Sequence, residues 1–219
     1  MEWRLLSSLD DDQRAAVLAL THPRDYAQGE VLVHEGDPAE SLHLVESGRL
    51  TVRVSTVEGD SATLNILGPG DYFGELSLMD RNNPVRTATI VALEPTRTRQ
   101  LSASAFRDLR ASHRAVEQLL LVLLAHRVDE LSARLLEVMY DDLERRVARR
   151  LSHLTDLYAT TSTGPVVISL TQEHLAELVG GTRPSINQAL QGLAQRGIVS
   201  LGRGRLTILD RERLAREAG

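Results

Sequence analysis

Gly70-Asp71-Tyr72-Phe73-Gly74-Glu75-Leu76-Ser77-Leu78-Met79-Asp80-Arg81-Asn82-Asn83-Pro84-Val85-Arg86-Thr87-Ala88-Thr89-Ile90 is the stretch on which the reading of this chain turns. Gly74 carries no side chain, so backbone N–H groups there can approach an anion closely, and such groups form anion-binding nests. Glu75 is acceptor-only when ionised and needs a donor such as a hydroxyl. Arg86 presents a planar fork that matches phosphate or carboxylate, and the Thr87 hydroxyl adds a second donor. Without a ligand, the same residues would make a buried strand and turn with a surface Glu75–Arg86 salt bridge. The order and spacing of the whole run favour an anion site over that plain alternative.

On either side of this run the pattern is short, alternating and punctuated by glycine. Glu30 to Asp37 reads as a strand ending in a turn. Ser41 to Val54 gives two strands about Ser47-Gly48, and Ala62 to Leu67 a further strand before Gly68-Pro69-Gly70. Several short strands at regular spacing predict a sandwich or barrel-like roll over about 26–101, preceded by a short helix from Leu9 to Leu20. Rolls of this kind also carry metal enzymes. Here, however, His34, Glu35, His43 and Glu46 lack a paired His-x-His element, and the expectation is solvated or turn-forming side chains, with no metal and no catalytic residues.

The period changes near His113. Leu121, Leu124, Val128, Leu131, Leu135 and Val138 follow one another at intervals of three and four, the a/d seam of paired helices. Leu119, Leu120 and Leu123 add a second apolar face, so the stripe is read as a dimerisation helix over 113–140. Asp141-Asp142-Leu143-Glu144 ends the seam. Arg145 to Leu157 then forms an amphipathic helix with Val147, Leu151 and Leu154 on one face, followed by a polar loop and a strand at Val166-Val167-Ile168-Ser169.

Thr171 to Gly197 has the form of a helix-turn-helix. Thr171 and Thr182 serve as N-caps, Gly180-Gly181 as the turn, Pro184 sits in the first turn of the second helix, and Gly197 stops it. Ile186, Leu190 and Leu193 make the buried stripe of that second helix. Its other face shows Arg183, Asn187, Gln188, Gln191 and Gln195 and no acid. Arginine and amides pair bidentately with base edges in the major groove. A hairpin follows whose tip carries Arg203 and Arg205, a wing suited to phosphates. Thr171, Thr182, Arg183, Ser185, Asn187, Gln188, Gln191, Arg203 and Arg205 are therefore the candidate DNA contacts.

The 219 residues, 42% of them hydrophobic, allow two small domains with separate cores. There is no cysteine, which excludes disulfides, thiolate metal sites and a cysteine nucleophile. Net charge is −5, unevenly placed: from Asp141 onward 11 arginines face 9 acids, while the front of the chain is acidic. All basic residues other than histidine are arginine. With no secretory signal pattern and no long apolar run, the expected location is the cytoplasm.

The run from Gly70 to Ile90 resembles the phosphate-binding cassette of cyclic-nucleotide-binding domains. Roll, long helix and winged helix-turn-helix in this order resemble the catabolite activator/FNR family of bacterial transcription regulators over nearly the whole chain. That resemblance implies an α+β fold, with a cyclic-nucleotide-binding β-roll at 1–112, a dimerisation helix at 113–140 and a winged helix-turn-helix DNA-binding domain at 141–219. It also implies a homodimer that binds a cyclic nucleotide and palindromic DNA, with RNA polymerase as a further partner. Gly74, Glu75 and Leu76 would contact ribose and phosphate, Arg86 and Thr87 the phosphate, and Ser77 would line the cassette. The absence of cysteine removes the iron–sulfur oxygen sensors of the family, and the intact cassette looks like the cyclic AMP branch.

Two departures stand out. The Thr–Ser pair that meets adenine in cyclic AMP receptors falls here on Leu131 and Ser132, and leucine cannot hydrogen-bond the exocyclic amine. The usual Arg-Glu-Thr-Val-x-Arg of the recognition helix becomes Arg183-Pro184-Ser185-Ile186-Asn187-Gln188, which implies a different operator. Two other readings stay open on the residues alone. One is a DNA-binding regulator that needs no ligand or answers a cyclic dinucleotide; the other is a nucleotide-binding signalling module acting through protein contacts.

Overall fold

The computed structural model describes residues 3–7, 9–55, 61–78, 84–112, 114–159, 161 and 163–219; of Arg4, Ser61, residues 109–112 and 114–120, Leu123 and His126 it describes the backbone alone. The chain divides into two compact units, Met1–Glu130 and Leu131–Gly219. No helix among the described residues is long and apolar enough to cross a membrane.

The first unit opens with helix α1 (Asp11–Ala19). Asp10 starts it through a capping box, accepting from Gln13 N at 2.8 Å while Gln13 Oε1 accepts from Asp10 N at 3.2 Å. Strands β1 (His22–Tyr26), β2 (Val31–Val33), β3 (Ser41–Ser47), β4 (Leu50–Ser55), β5 (Ser61–Leu67), β6 (Tyr72–Phe73), β7 (Thr89–Ala92) and β8 (Thr96–Ser102) follow, then α2 (Ala103–Ser112). One antiparallel sheet has the order β1-β8-β3-β6 and another the order β2-β7-β4-β5. The two strands expected about Ser47-Gly48 form, and they enter different sheets. Gly48 makes that crossing at φ +81°, where a Cβ would run into Thr96 and the Pro95 carbonyl.

Alternation along β3 sets the roll's two environments. Leu42 and Leu44 point to a cluster with Trp3, Leu6, Leu9, Val17, Leu101 and Phe106, beneath the N-terminal segment and α2. Ser41, His43 and Val45 take the other face, and Val45 joins the second cluster with Leu50, Phe73, Ile90 and Ala92. In register, His43 lies opposite Gln100 and Val45 opposite Thr98. A row of polar side chains thus lines the inside of the roll.

Helix α3 (Arg114–Tyr140) begins in the first unit and ends in the second. Its expected seam is bare in the single chain: Leu121, Val128, Leu131, Leu135 and Val138 are 55–67% exposed and Leu124 40%. The second apolar face placed on Leu119, Leu120 and Leu123 falls on side chains outside the described set.

The second unit continues with α4 (Leu143–Tyr158), β9 (Val166–Ile168), α5 (Gln172–Val179), α6 (Arg183–Gln195), β10 (Val199–Gly202), β11 (Arg205–Ile208) and α7 (Arg211–Ala218). Val147, Leu151 and Leu154 of α4 are buried in its core with Leu175, Ile186, Leu190, Leu193, Ile208 and Leu214. The three strands form one antiparallel sheet in the order β10-β11-β9. This architecture is the α+β arrangement expected: a β-rich first domain, a long helix, and a helix-turn-helix with a small β wing.

Candidate functional site

The cassette sits at one end of the polar row. Phe73 ends β6, Gly74 turns the chain at φ +85°, and Glu75–Leu78 form a 3-10 turn. A Cβ on Gly74 would collide with Arg86 Nη1 and the Ser41 carbonyl, so glycine here is required by close approach as well as by φ. Ser77 is buried with its hydroxyl turned onto its own backbone, donating to Gly74 O at 2.7 Å. Glu75 and Leu76 are half-buried and Thr87 is exposed. Met79 to Asn83 of the quoted run lie outside the described residues.

Arg86 is 7% exposed and is not part of a surface salt bridge with Glu75. Its position is stitched in place from the backbone: Arg86 N donates to Asp37 O at 2.8 Å, and Gly36 N donates to Arg86 O at 2.9 Å. The guanidinium donates from Nη1 to Ser41 O at 2.8 Å and from Nη2 to Ser41 Oγ at 3.0 Å. Its Nε is buried and has no hydrogen-bond partner. Burial pulls its pKa down, and the nearby carboxylates of Asp37, Glu75 and Glu40 push it back. A buried cation with an unused donor beside a side-chain-free turn is a fit for a phosphate oxyanion.

Sequence reasoning missed the residues beneath Arg86. His43, expected to be solvated or turn-forming, is instead 3% exposed and stacked on Phe73, with ring centroids 4.7 Å apart. The correction has a simple cause: alternation carries position 43 to the roll's interior. Its pKa is lowered from 6.5 to about 3, mainly by burial and then by the charges of Arg86 and Arg24. Between those values the unfolded chain takes up a proton that the folded chain refuses. This group's contribution to stability is therefore lost as pH falls from 6.5 towards 3, by at most about 1.4 kcal/mol per pH unit. Urea melts at neutral pH and near pH 5 are expected to show a larger acid loss for the wild type than for His43→Phe. Equal losses would refute the assignment. Of the other three candidates, His34 and Glu35 are exposed at a turn, while Glu46 is half-buried and pairs with Arg99.

Leu131 and Ser132 lie on α3 in the second unit, whereas the cassette residues belong to the first.

In the second unit the helix-turn-helix caps form as the sequence indicates. Thr171 Oγ1 accepts from His174 N at 3.1 Å and Thr182 Oγ1 from Ser185 N at 3.4 Å, and Gly180 takes the left-handed conformation at the turn. Arg146 Nη1 holds the end of α5 by donating to Val179 O at 3.1 Å. Arg183, Asn187, Gln188 and Gln191 are exposed on α6, and Ser185 is half-buried with its hydroxyl paired to Thr182. Gln172 Nε2 donates to Asn187 Oδ1 at 3.2 Å, a link between the two helices that sequence reading had not found. The wing closes with Gly202 opposite Arg205, leaving Arg203-Gly204 as its two-residue tip, and Arg203 and Arg205 are exposed. Amide and guanidinium groups on one helix face, with arginines on an adjoining hairpin, can read base edges and grip phosphates.

Comparison with known proteins agrees with both halves. A family model described as a cyclic nucleotide-binding domain matches residues 23–113, and one described as a Crp-like helix-turn-helix domain matches residues 145–217. The chain is 33% identical over 209 residues to the CRP-like cAMP-activated global transcriptional regulator of Mycobacterium tuberculosis, covering 93% of this chain and 92% of the relative. Among solved structures, the catabolite activator protein of Thermus thermophilus is 30% identical, with a TM-score of 0.56 and coverage of 98% and 97%. FixK2 of Bradyrhizobium japonicum, at 20% identity, shares the fold with a TM-score of 0.78 and coverage of 91% and 98%. The chain belongs to the CRP/FNR family of transcription regulators, with a cyclic nucleotide-binding domain and a DNA-binding Crp-like helix-turn-helix. The family is one of regulators rather than enzymes.

Proposed function

We propose that this protein is a homodimer that binds cyclic AMP in the roll and an inverted-repeat operator through α6 and the wing. Residues 1–112 act as the sensor, 113–140 as the dimer helix and 141–219 as the DNA reader. Arg86 carries the effector reading: a buried guanidinium with a free Nε, facing a glycine turn, supports a cyclic phosphate as its partner. Gly74, Glu75, Leu76, Ser77 and Thr87 complete the sugar–phosphate wall. Cyclic AMP is favoured by the names of relatives at about 30% identity. The bare apolar row of α3 supports pairing with a second copy. RNA polymerase is the further partner at the promoter. For the ligand to control DNA affinity it must contact two arrangements of the dimer unequally.

Calorimetry on nucleotide-free protein with a panel of cyclic mono- and dinucleotides tests the effector. Tightest binding by cyclic AMP supports the reading, and no heat with any cyclic mononucleotide sinks it. On DNA, selection from random duplexes is expected to enrich an inverted repeat with half-site centres about one helical turn, roughly 10 bp, apart. Arg183→Ala should cost about 1–3 kcal/mol and relax preference at one position per half-site. Arg203→Ala should weaken all sequences alike and reduce the salt slope by about one. A uniform loss for Arg183→Ala, or a sequence-selective one for Arg203→Ala, would reverse the assigned roles.

A further inference from the structure

The guanidinium of Arg86 is held at one end by a single residue. Nη1 donates to the Ser41 carbonyl and Nη2 to the Ser41 hydroxyl, at 2.8 and 3.0 Å. Gln100 Nε2 donates to the same hydroxyl at 3.1 Å. The orientation of that amide is fixed from outside, because Arg24 Nε donates to Gln100 Oε1 at 2.9 Å and an arginine needs an acceptor there. A serine hydroxyl has two lone pairs and one hydrogen. With both lone pairs taken, its hydrogen has one partner left within reach, His43 Nε2 at 3.2 Å. The imidazole must therefore accept at Nε2 and carry its proton on Nδ1, which faces Thr98 Oγ1 at 3.1 Å. The ring is clamped flat against Phe73 with an interplanar angle of 6°. The donors run one way from Arg24 through Gln100, Ser41 and His43 to the Thr98 hydroxyl, and neither the Gln100 amide nor the His43 ring can flip without orphaning a neighbour. A neutral His43 is what its burial favours.

We propose that Ser41 and His43 are positioning residues for nucleotide recognition: they lock the Arg86 fork so that its Nε–Nη2 edge is set for a cyclic phosphate before ligand arrives. This rests on the reading of Arg86 as the phosphate ligand and adds to it the residues that fix its orientation. With one hydrogen of each Nη on Ser41, three of the five donors remain, and of these the Nε–H and the second Nη2 hydrogen lie together on one edge of the planar group. That edge is the one containing the unpartnered buried Nε. The lock has something to prevent. The carboxylates of Asp37, Glu40 and Glu75 all act on Arg86, and a loose guanidinium would turn towards them. The strand pattern explains why the device sits here: positions 41 and 43 share the inner face of β3, opposite Ser102 and Gln100 of β8.

Nitrogen-15 relaxation of the Arg86 Nε–H in nucleotide-free protein reads the lock directly. It is expected to be rigid in the wild type and in Ser41→Thr, which keeps the hydroxyl, and mobile in Ser41→Ala and His43→Phe, the latter keeping a ring against Phe73. Cyclic AMP affinity by calorimetry should fall about fivefold to tenfold in Ser41→Ala and severalfold in His43→Phe, with Ser41→Thr within twofold of wild type, the scale expected for losing preorganisation of one long side chain. A rigid Nε–H in Ser41→Ala, or unchanged affinity in both loss variants, overturns the proposal. If Arg86→Leu itself leaves affinity unchanged, the phosphate reading of Arg86 falls instead, and the relaxation data still decide whether Ser41 holds the side chain.

Discussion

Arg86→Leu is expected to remove cyclic nucleotide binding from the calorimetric range while leaving a folded protein with the wild type's oligomeric state. The guanidinium is 7% exposed, so a ligand phosphate meeting it is largely desolvated. Truncating one partner of such a charge pair costs about 2–5 kcal/mol, or roughly 30-fold to several thousand-fold in Kd. The fold should tolerate the change, because leucine exchanges a buried charge for apolar volume. What it leaves unpaired is the Ser41 carbonyl, a cost of about 1–3 kcal/mol that the relief of burying a cation offsets in part. Unchanged nucleotide affinity would show that the cassette does not bind phosphate through this residue.

The second large effect concerns α3. Val128 and Leu135 are each 60% exposed in the single chain, one on either side of the division between the units. In a two-fold seam one substitution alters both chains, so Val128→Glu with Leu135→Glu places like charges face to face twice. It also forfeits about 1.5–3 kcal/mol for each apolar side chain that pairing would cover. Sedimentation is expected to show a monomer at micromolar concentration. Affinity for a full inverted repeat should then fall by about 10²–10⁴, the avidity of two linked half-sites, while affinity for one half-site changes little. A dimer that persists in the double variant would place the interface elsewhere.

What was legible in the sequence is what local rules control. The cassette order, the caps at Thr171 and Thr182, the turn at Gly180 and the wing all rest on residues within a few positions of each other. Strand β1, with the sequence His-Pro-Arg-Asp-Tyr, was not foreseen because it is mostly exposed and has no apolar alternation. Helices α2 and α7 were also missed. The two strands about Gly48 were legible but their partners were not, because pairing is chosen at long range: β3 pairs with β8 and β4 with β7. The network under Arg86 was hidden for a related reason. Ser41, His43, Thr98 and Gln100 alternate with apolar or charged neighbours just as a solvated face would, and only sheet closure turns that face inward. At the DNA face, Asn187 was recognised as exposed, but its link to Gln172 spans 15 positions and follows from how α5 and α6 pack.

The two-residue wing tip, Arg203-Gly204 with Arg205 beside it, belongs to a chain without a single lysine. Acylation that removes a side chain's positive charge needs a nucleophilic amine, and a guanidinium stays protonated at every pH a cell meets. The positive charge that this hairpin would offer to phosphates, and Arg183 to a base edge, is therefore permanent with respect to lysine acetylation, which elsewhere erases such contacts one charge at a time. Acetylation of lysine has no handle on this surface, and control of DNA occupancy is left to ionic strength, protein concentration and the effector.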